Sequence, residues 1–276
     1  MKKHGFIIFL FFFILSCNNK KESENTRELH VIGKQAFKSV KFNFPSRIIS
    51  IGDYLVIRND SRVNPFFETL DLRTENIVNS FGKKGKGPGE FIFPASVFYS
   101  NSQKKLFIHA SVLGQIFYVN DEDLFSPEPS LNKYCDLPRE KFFPHSISIL
   151  DSCFVMQGVS KESERWQFHP IGSNIYYIKG YYREDLIRGN IDGISSYKKI
   201  MSLYGKGKIL ANEQNGRIAT IFHFSDLLEI YDVVKDTVIS SSDFDYPILM
   251  DFSGDGLKDL AKVNKQSVFG YIDFCM

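Results

Sequence analysis

The sequence predicts an all-β chain, a β-propeller of four-stranded blades. Three observations carry this. Helical apolar spacing is almost absent, and short runs rich in β-branched and aromatic residues recur instead, bounded by Gly, Asn, Asp, Ser and Pro. These runs fall into groups of about four, each group about 45–55 residues long, which is the trace that propeller blades leave in a sequence. Phe and Tyr, 27 and 13 of the 276 residues, dominate the apolar positions, as they do where sheets pack face to face.

The strands follow in order. The first group is 47–51, 54–58, 66–72 and 76–81, with Gly52-Asp53 as a tight turn between the first two. The second is 95–99, 105–110, 115–120 and 131–137. The third is 146–150, 153–158 and 174–179, with a weaker fourth strand, and the interval 181–204 is irregular with one short helix expected around 194–203. The fourth is 208–212, 217–222, 227–233 and 237–241, with Asn215-Gly216 as its hairpin turn. At about 50 residues per blade, residues 47–276 hold between four and five. The final segment 267–274 reads as the opening of another strand pair, so the ring is expected to be incomplete.

Before the strands comes an address. Met1-Lys2-Lys3-His4 is a short basic start, and Phe6 to Leu15 is an unbroken apolar run closed by Ser16-Cys17. Such a run rises roughly 15 Å as a helix, about half a bilayer core, which suits a signal-peptide h-region and not a membrane span. The polar stretch after Cys17 lacks apolar spacing and reads as a tether. The domain division is then signal peptide 1–16, a tether 17–40 beginning at Cys17, and propeller 41–276.

Composition narrows the function. Hydrophobic residues are 43% and charged residues 24%, enough for a packed core and against global disorder. Lys plus Arg is 34 and Asp plus Glu 32; without Lys2 and Lys3 the basic count is also 32. A neutral chain has no global field that seeks nucleic acid. Beyond Cys17 the cysteines are Cys135, Cys153 and Cys275, an odd number, so at most one bridge can form among them. Cys135–Cys153 is one pairing; buried free thiols on strands are the other reading.

Two stretches carry a resemblance. Ile14-Leu15-Ser16-Cys17 resembles a bacterial lipobox, with a Leu bulkier than usual before Ser16. That resemblance implies lipidation at Cys17, where two or three acyl chains anchor stably. Phe81-Gly82-Lys83-Lys84-Gly85-Lys86-Gly87-Pro88-Gly89-Glu90-Phe91, followed by 106–108 and 115–119, resembles an NHL-type repeat, in which Phe91 plugs the space between blades; Ala110 and Gln115 depart from its usual Asp and Arg. Together they resemble the TolB-like six-bladed β-propeller lipoproteins of Gram-negative bacteria. The resemblance implies a propeller lipid-anchored in the cell envelope, on the outer membrane, facing the periplasm or the exterior. It implies no activity.

Candidate sites are few. The loop 82–89 lacks the Lys-Ser/Thr and following helix of a P-loop, so an inter-blade turn is the better reading than a phosphate site. The histidines are His4, His30, His109, His145, His169 and His223, with no H-x-x-x-H or C-x-x-C spacing. His109, His145 and His223 fall in three blades and would make a zinc site only if they met at the axis. No G-x-S-x-G elbow and no pair of carboxylates marks a catalytic residue. The most pointed motif is 251–260, where Asp251, Ser253, Asp255 and Asp259 place side-chain oxygens at positions 1, 3, 5 and 9 and Leu257 offers a carbonyl at 7. It resembles the calcium loop of FG-GAP-type propeller blades, so Ca²⁺ is the one cofactor expected. The alternative is an Asp/Gly-rich surface loop.

The functional expectation is a lipid-anchored envelope propeller that binds a protein, peptide or glycan, without nucleic acid. The alternatives are a propeller enzyme of metal-assisted lactonase, lyase or hydrolase type, and a calcium-stabilised adhesion module.

Overall fold

The structure is a computed structural model that describes residues 40, 42, 45–59, 64–87, 90–137, 142–160, 164–173, 175–181, 187–188, 207–223, 225, 227–241, 248–253 and 260–263. Cys17, Cys275, the expected helix 194–203 and the segment 267–274 lie outside these residues. All the described residues belong to one compact unit, 39–276.

Four meanders form four blades. Blade 1 is β1 (Pro45–Ile51), β2 (Tyr54–Asn59), β3 (Phe67–Asp71) and β4 (Asn76–Phe81). A parallel pair, β5 (Lys83–Lys84) and β6 (Glu90–Phe91), leads into blade 2. Blade 2 is β7 (Pro94–Ser100), β8 (Lys105–Ala110), β9 (Gln115–Asn120), the short helix α1 (Asp121–Leu124) and β10 (Asn132–Asp136). Blade 3 is β11 (Phe142–Leu150), β12 (Cys153–Ser160), β13 (Glu164–Pro170) and β14 (Tyr177–Tyr181). After β15 (Ile187–Arg188) comes blade 4: β16 (Gly207–Asn212), β17 (Arg217–Phe222), β18 (Leu228–Asp232) and β19 (Thr237–Ser241). Finally β20 (Ile248–Ser253) pairs antiparallel with β21 (Leu260–Val263) and parallel with β15, a three-stranded sheet. Among the described residues, four blades and a partial sheet agree with the expected four to five.

Blades 1, 2 and 4 follow the sequence reading strand for strand. Blade 3 corrects it. Its third strand is β13, which the reading missed, and the run 174–179 contributes to the fourth strand, β14. The physical reason is that β13 carries Glu164, Arg165, Gln167 and His169, a polar set that looks like a loop. Arg165, Gln167 and His169 are nonetheless buried, as are Trp166 and Phe168 between them. Of these, Arg165 is met by Glu229 of the neighbouring blade. A second correction is small: the turn at Asn215-Gly216 spans four residues, since Asn212 pairs with Arg217. Gly216 supplies the positive φ of 65° that this loop needs.

Three innermost strands share a device. The register slips after Pro45 in β1, after Pro94 in β7 and after Pro144 in β11. Proline cannot donate to the ladder, and a bulge beside it bends the strand. The bulges of blades 1 and 2 are tied by Arg58, whose Nε donates to Ser46 Oγ at 3.0 Å and whose Nη1 donates to the carbonyls of Pro94 (2.9 Å) and Ala95 (2.8 Å).

The core lies between blades. Between blades 1 and 2, Phe91 is fully buried and meets Phe66, Phe67 and Phe117 edge-on, with centroids 6.4, 6.3 and 5.4 Å away. It therefore plugs the gap as expected. Its loop is self-contained: the Gly87 N–H donates to Glu90 Oε2 at 2.8 Å, and a Cβ at Gly85 would collide with the same carboxylate. The anion held in this glycine turn is thus the chain's own. Blades 2 and 3 share Phe98, Phe107 and Phe154; blades 3 and 4 share Trp166, Phe168, Ile218 and Tyr231. Arg165 of β13 and Glu229 of β18 form a buried ion pair, and the Arg165 guanidinium lies 4.0 Å from the Trp166 ring centroid and 5.2 Å from that of Phe222.

Candidate ligand site at the propeller axis

The innermost strands β1, β7, β11 and β16 converge on one cavity of about 480 Å³. Blade 1 contributes Arg47, Ile48, Ile49 and Ser50. Blade 2 contributes Phe98, Tyr99 and Asn101, and blade 3 Ser148 and Ile149. Blade 4 gives the wall from Leu210 to Asn212 and, from the turn that follows, Glu213 and Gln214. The residues come to one place because each blade starts at the axis, and strand, hairpin and bulge repeat at blade spacing.

One carboxylate crosses the axis. Glu213 Oε1 accepts from the hydroxyls of Ser100 (2.7 Å) and Ser102 (3.0 Å), and Oε2 accepts from the Ser102 N–H at 3.3 Å. Beside it, Gln103 Nε2 donates to the Asp151 carbonyl at 3.4 Å. The first hairpins of blades 2, 3 and 4 thus meet at one end of the cavity. Along the wall, the Ile209 and Ala211 N–H groups of β16 donate to Ser146 Oγ (3.1 Å) and Ser148 Oγ (3.0 Å) of β11. These serines do for an innermost strand edge what a neighbouring strand would do.

One titratable group near the axis is perturbed by burial. Tyr99 is pushed up to about 12 by desolvation, helped by a hydrogen bond to Asp121. Away from the axis, burial raises the Cys135 thiol to about 11 and lowers His169. On the β3–β4 turn, hydrogen bonds from Arg73 hold the Asp71 carboxyl below its usual range.

The sites anticipated from sequence fall elsewhere. Asp251 and Ser253 stand on β20, paired with Lys262 and Leu260 of β21, while Asp255, Leu257 and Asp259 lie outside the described residues. His109 is on β8, His145 at the bulge of β11 and His223 just after β17, so only one of the three is on an innermost strand. Among the described residues no three His, Cys, Asp or Glu side chains gather as a metal site. Cys135 and Cys153 are free thiols, half-buried on β10 and β12, so the bridge between them is not formed. Sequence reasoning missed Glu213, Ser100 and Ser102. The available signal was an acidic or hydroxyl residue at the first hairpin of every blade: Asp53, Ser102, Asp151 and Glu213.

A family model described as TolB-like 6-blade propeller-like matches residues 18–276. No curated protein matches. Among solved structures, a DUF4221-family protein from Bacteroides vulgatus is 11% identical at a TM-score of 0.50, covering 73% of this chain and 58% of its own. The β-propeller domain of Cps50 (Swd1) from Myceliophteria thermophila is 12% identical at 0.46, covering 81% and 63%. This chain therefore spans less than two thirds of the length of both. At such identities the first likeness speaks for fold alone.

Proposed function

This chain belongs to the TolB-like 6-blade propeller-like family, and from that membership we propose that it is a lipid-anchored binding module of the bacterial cell envelope whose ligand sits in the axial cavity. The observation that carries the reading is the convergence of four innermost strands on one mixed polar and apolar cavity, of the size small-molecule sites have. The anchor rests on the basic start, the apolar run and Cys17.

Two experiments test the two halves. Cys17→Ala should move the protein from the membrane to the soluble fraction, or leave it unprocessed; a cleaved variant that still fractionates with lipid overturns the anchor. For the cavity, Ser50→Trp places a large side chain on the exposed side of β1, where it lines the site. Native mass spectrometry after incubation with an envelope extract should show an adduct on the wild type and none on Ser50→Trp. An equal adduct on both overturns the cavity as the ligand seat.

A further inference from the structure

We propose that the axial cavity takes an uncharged saccharide, a mono- or disaccharide unit. This rests on the reading of the cavity as the ligand seat and names the chemistry it selects.

The first argument is charge. Among the described residues the wall contains one cation, Arg47, and one anion, Glu213. Glu213 is already engaged by Ser100 and Ser102. An anionic ligand would meet this carboxylate and a cationic one would meet Arg47, so neither sign is favoured by a local field. A neutral ligand is the class that such a wall admits without an uncompensated charge.

The second argument is the hydrogen-bonding inventory. Asn101 and Gln214 bring amides and Ser50 a hydroxyl to the same wall, and Asn212 adds an amide whose Oδ1 already accepts from the Gln214 N–H at 3.0 Å. Amides and hydroxyls both donate and accept. Sugar hydroxyls do the same, and a side-chain amide can serve two adjacent ones together. Ile48, 59% exposed on β1, offers an aliphatic surface for the C–H face of a pyranose ring.

The third argument separates a saccharide from a peptide. A peptide entering by strand addition needs unpaired backbone groups on a strand edge. On β16 the N–H groups of Ile209 and Ala211 are held by Ser146 and Ser148, and on β7 the carbonyls of Pro94 and Ala95 are held by Arg58. At these positions the edges of β16 and β7 are occupied, which disfavours strand addition along them and leaves side-chain chemistry to a ligand.

The test uses the full-length chain purified in detergent, with isothermal titration of maltose, cellobiose and N,N′-diacetylchitobiose, and of end-capped tetra-alanine as the peptide probe. At least one disaccharide should bind. The double variant Asn101→Ala/Gln214→Ala, both exposed turn residues, should weaken it at least tenfold with an unchanged melting temperature. Ser50→Trp should abolish it. No disaccharide binding at millimolar concentration overturns the proposal, as does binding that survives Ser50→Trp. If only tetra-alanine binds and Ser50→Trp blocks it, the saccharide falls while the cavity stands as a ligand seat. If the extract-derived adduct also persists in Ser50→Trp, the cavity falls with it.

Discussion

The Ser100 hydroxyl donates to Glu213 Oε1 at 2.7 Å, joining the end of the innermost strand of blade 2 to the first turn of blade 4 across 113 positions of sequence. Blade 3 stands between these two in the chain. The contact therefore reports the curvature of the ring, and it closes one end of the axial cavity on a carboxylate that the fold itself holds.

Glu213→Ala removes the acceptor for both seryl hydroxyls. Hydrogen bonds to charged groups contribute about 1.5–3 kcal/mol when shielded, and less at a half-exposed mouth. We expect a loss of roughly 1–2 kcal/mol in urea unfolding, with Glu213→Gln losing less. A Glu213→Ala variant as stable as wild type would show that the cross-axis contact adds nothing to the ring.

Phe91 fills the seam between blades 1 and 2. Phe91→Ala should cost about 3–5 kcal/mol, the usual range for an emptied aromatic site. Phe91→Leu should cost less because part of the volume remains. Denaturant midpoints at constant slope provide the measure. Near-equal stability of Phe91→Ala and wild type would mean that the seam collapses onto the vacancy.

Arg165 and Glu229 form a buried pair between β13 and β18. Breaking such a pair from one side leaves a buried charge and costs about 3–5 kcal/mol, whereas replacing both partners with apolar residues can be near neutral. Arg165→Met alone should therefore be strongly destabilising, and Arg165→Met/Glu229→Leu should recover most of the loss. Additive effects in the double-mutant cycle would contradict the coupling.

His169 is buried, and desolvation lowers its pKa below the ordinary value of 6.5. Below about pH 6.5 the unfolded chain binds this proton and the folded chain does not, so stability falls as the solution is acidified through that window. His169→Gln should flatten the fall in stability as the pH drops through about 6.5. The same slope in both proteins would place the pH dependence elsewhere.

The motif from Asp251 to Asp259, taken as a calcium loop, predicts a melting temperature that rises with saturating Ca²⁺ by mass action. Triple substitution of Asp251, Asp255 and Asp259 by Asn should abolish the rise. A wild-type melting temperature indifferent to Ca²⁺ reduces the loop to a turn.

The chain by itself determined the strands of blades 1, 2 and 4, the glycine turn and the role of Phe91, because each is a local matter. Turn residues, alternation and a seam-filling aromatic act over a few positions. Strand β13 was decided only by tertiary structure: its Arg165 is tolerable inside because Glu229, contributed by the next blade, is there to meet it. The axial cavity was decided the same way. Arg47, Asn101, Ser148 and Glu213 stand 47 to 65 residues apart, one per blade. Nothing in their local sequence separates them from ordinary turn and edge residues. The arrangement of the blades makes them neighbours, because each of the four turns its first strand to the shared cavity.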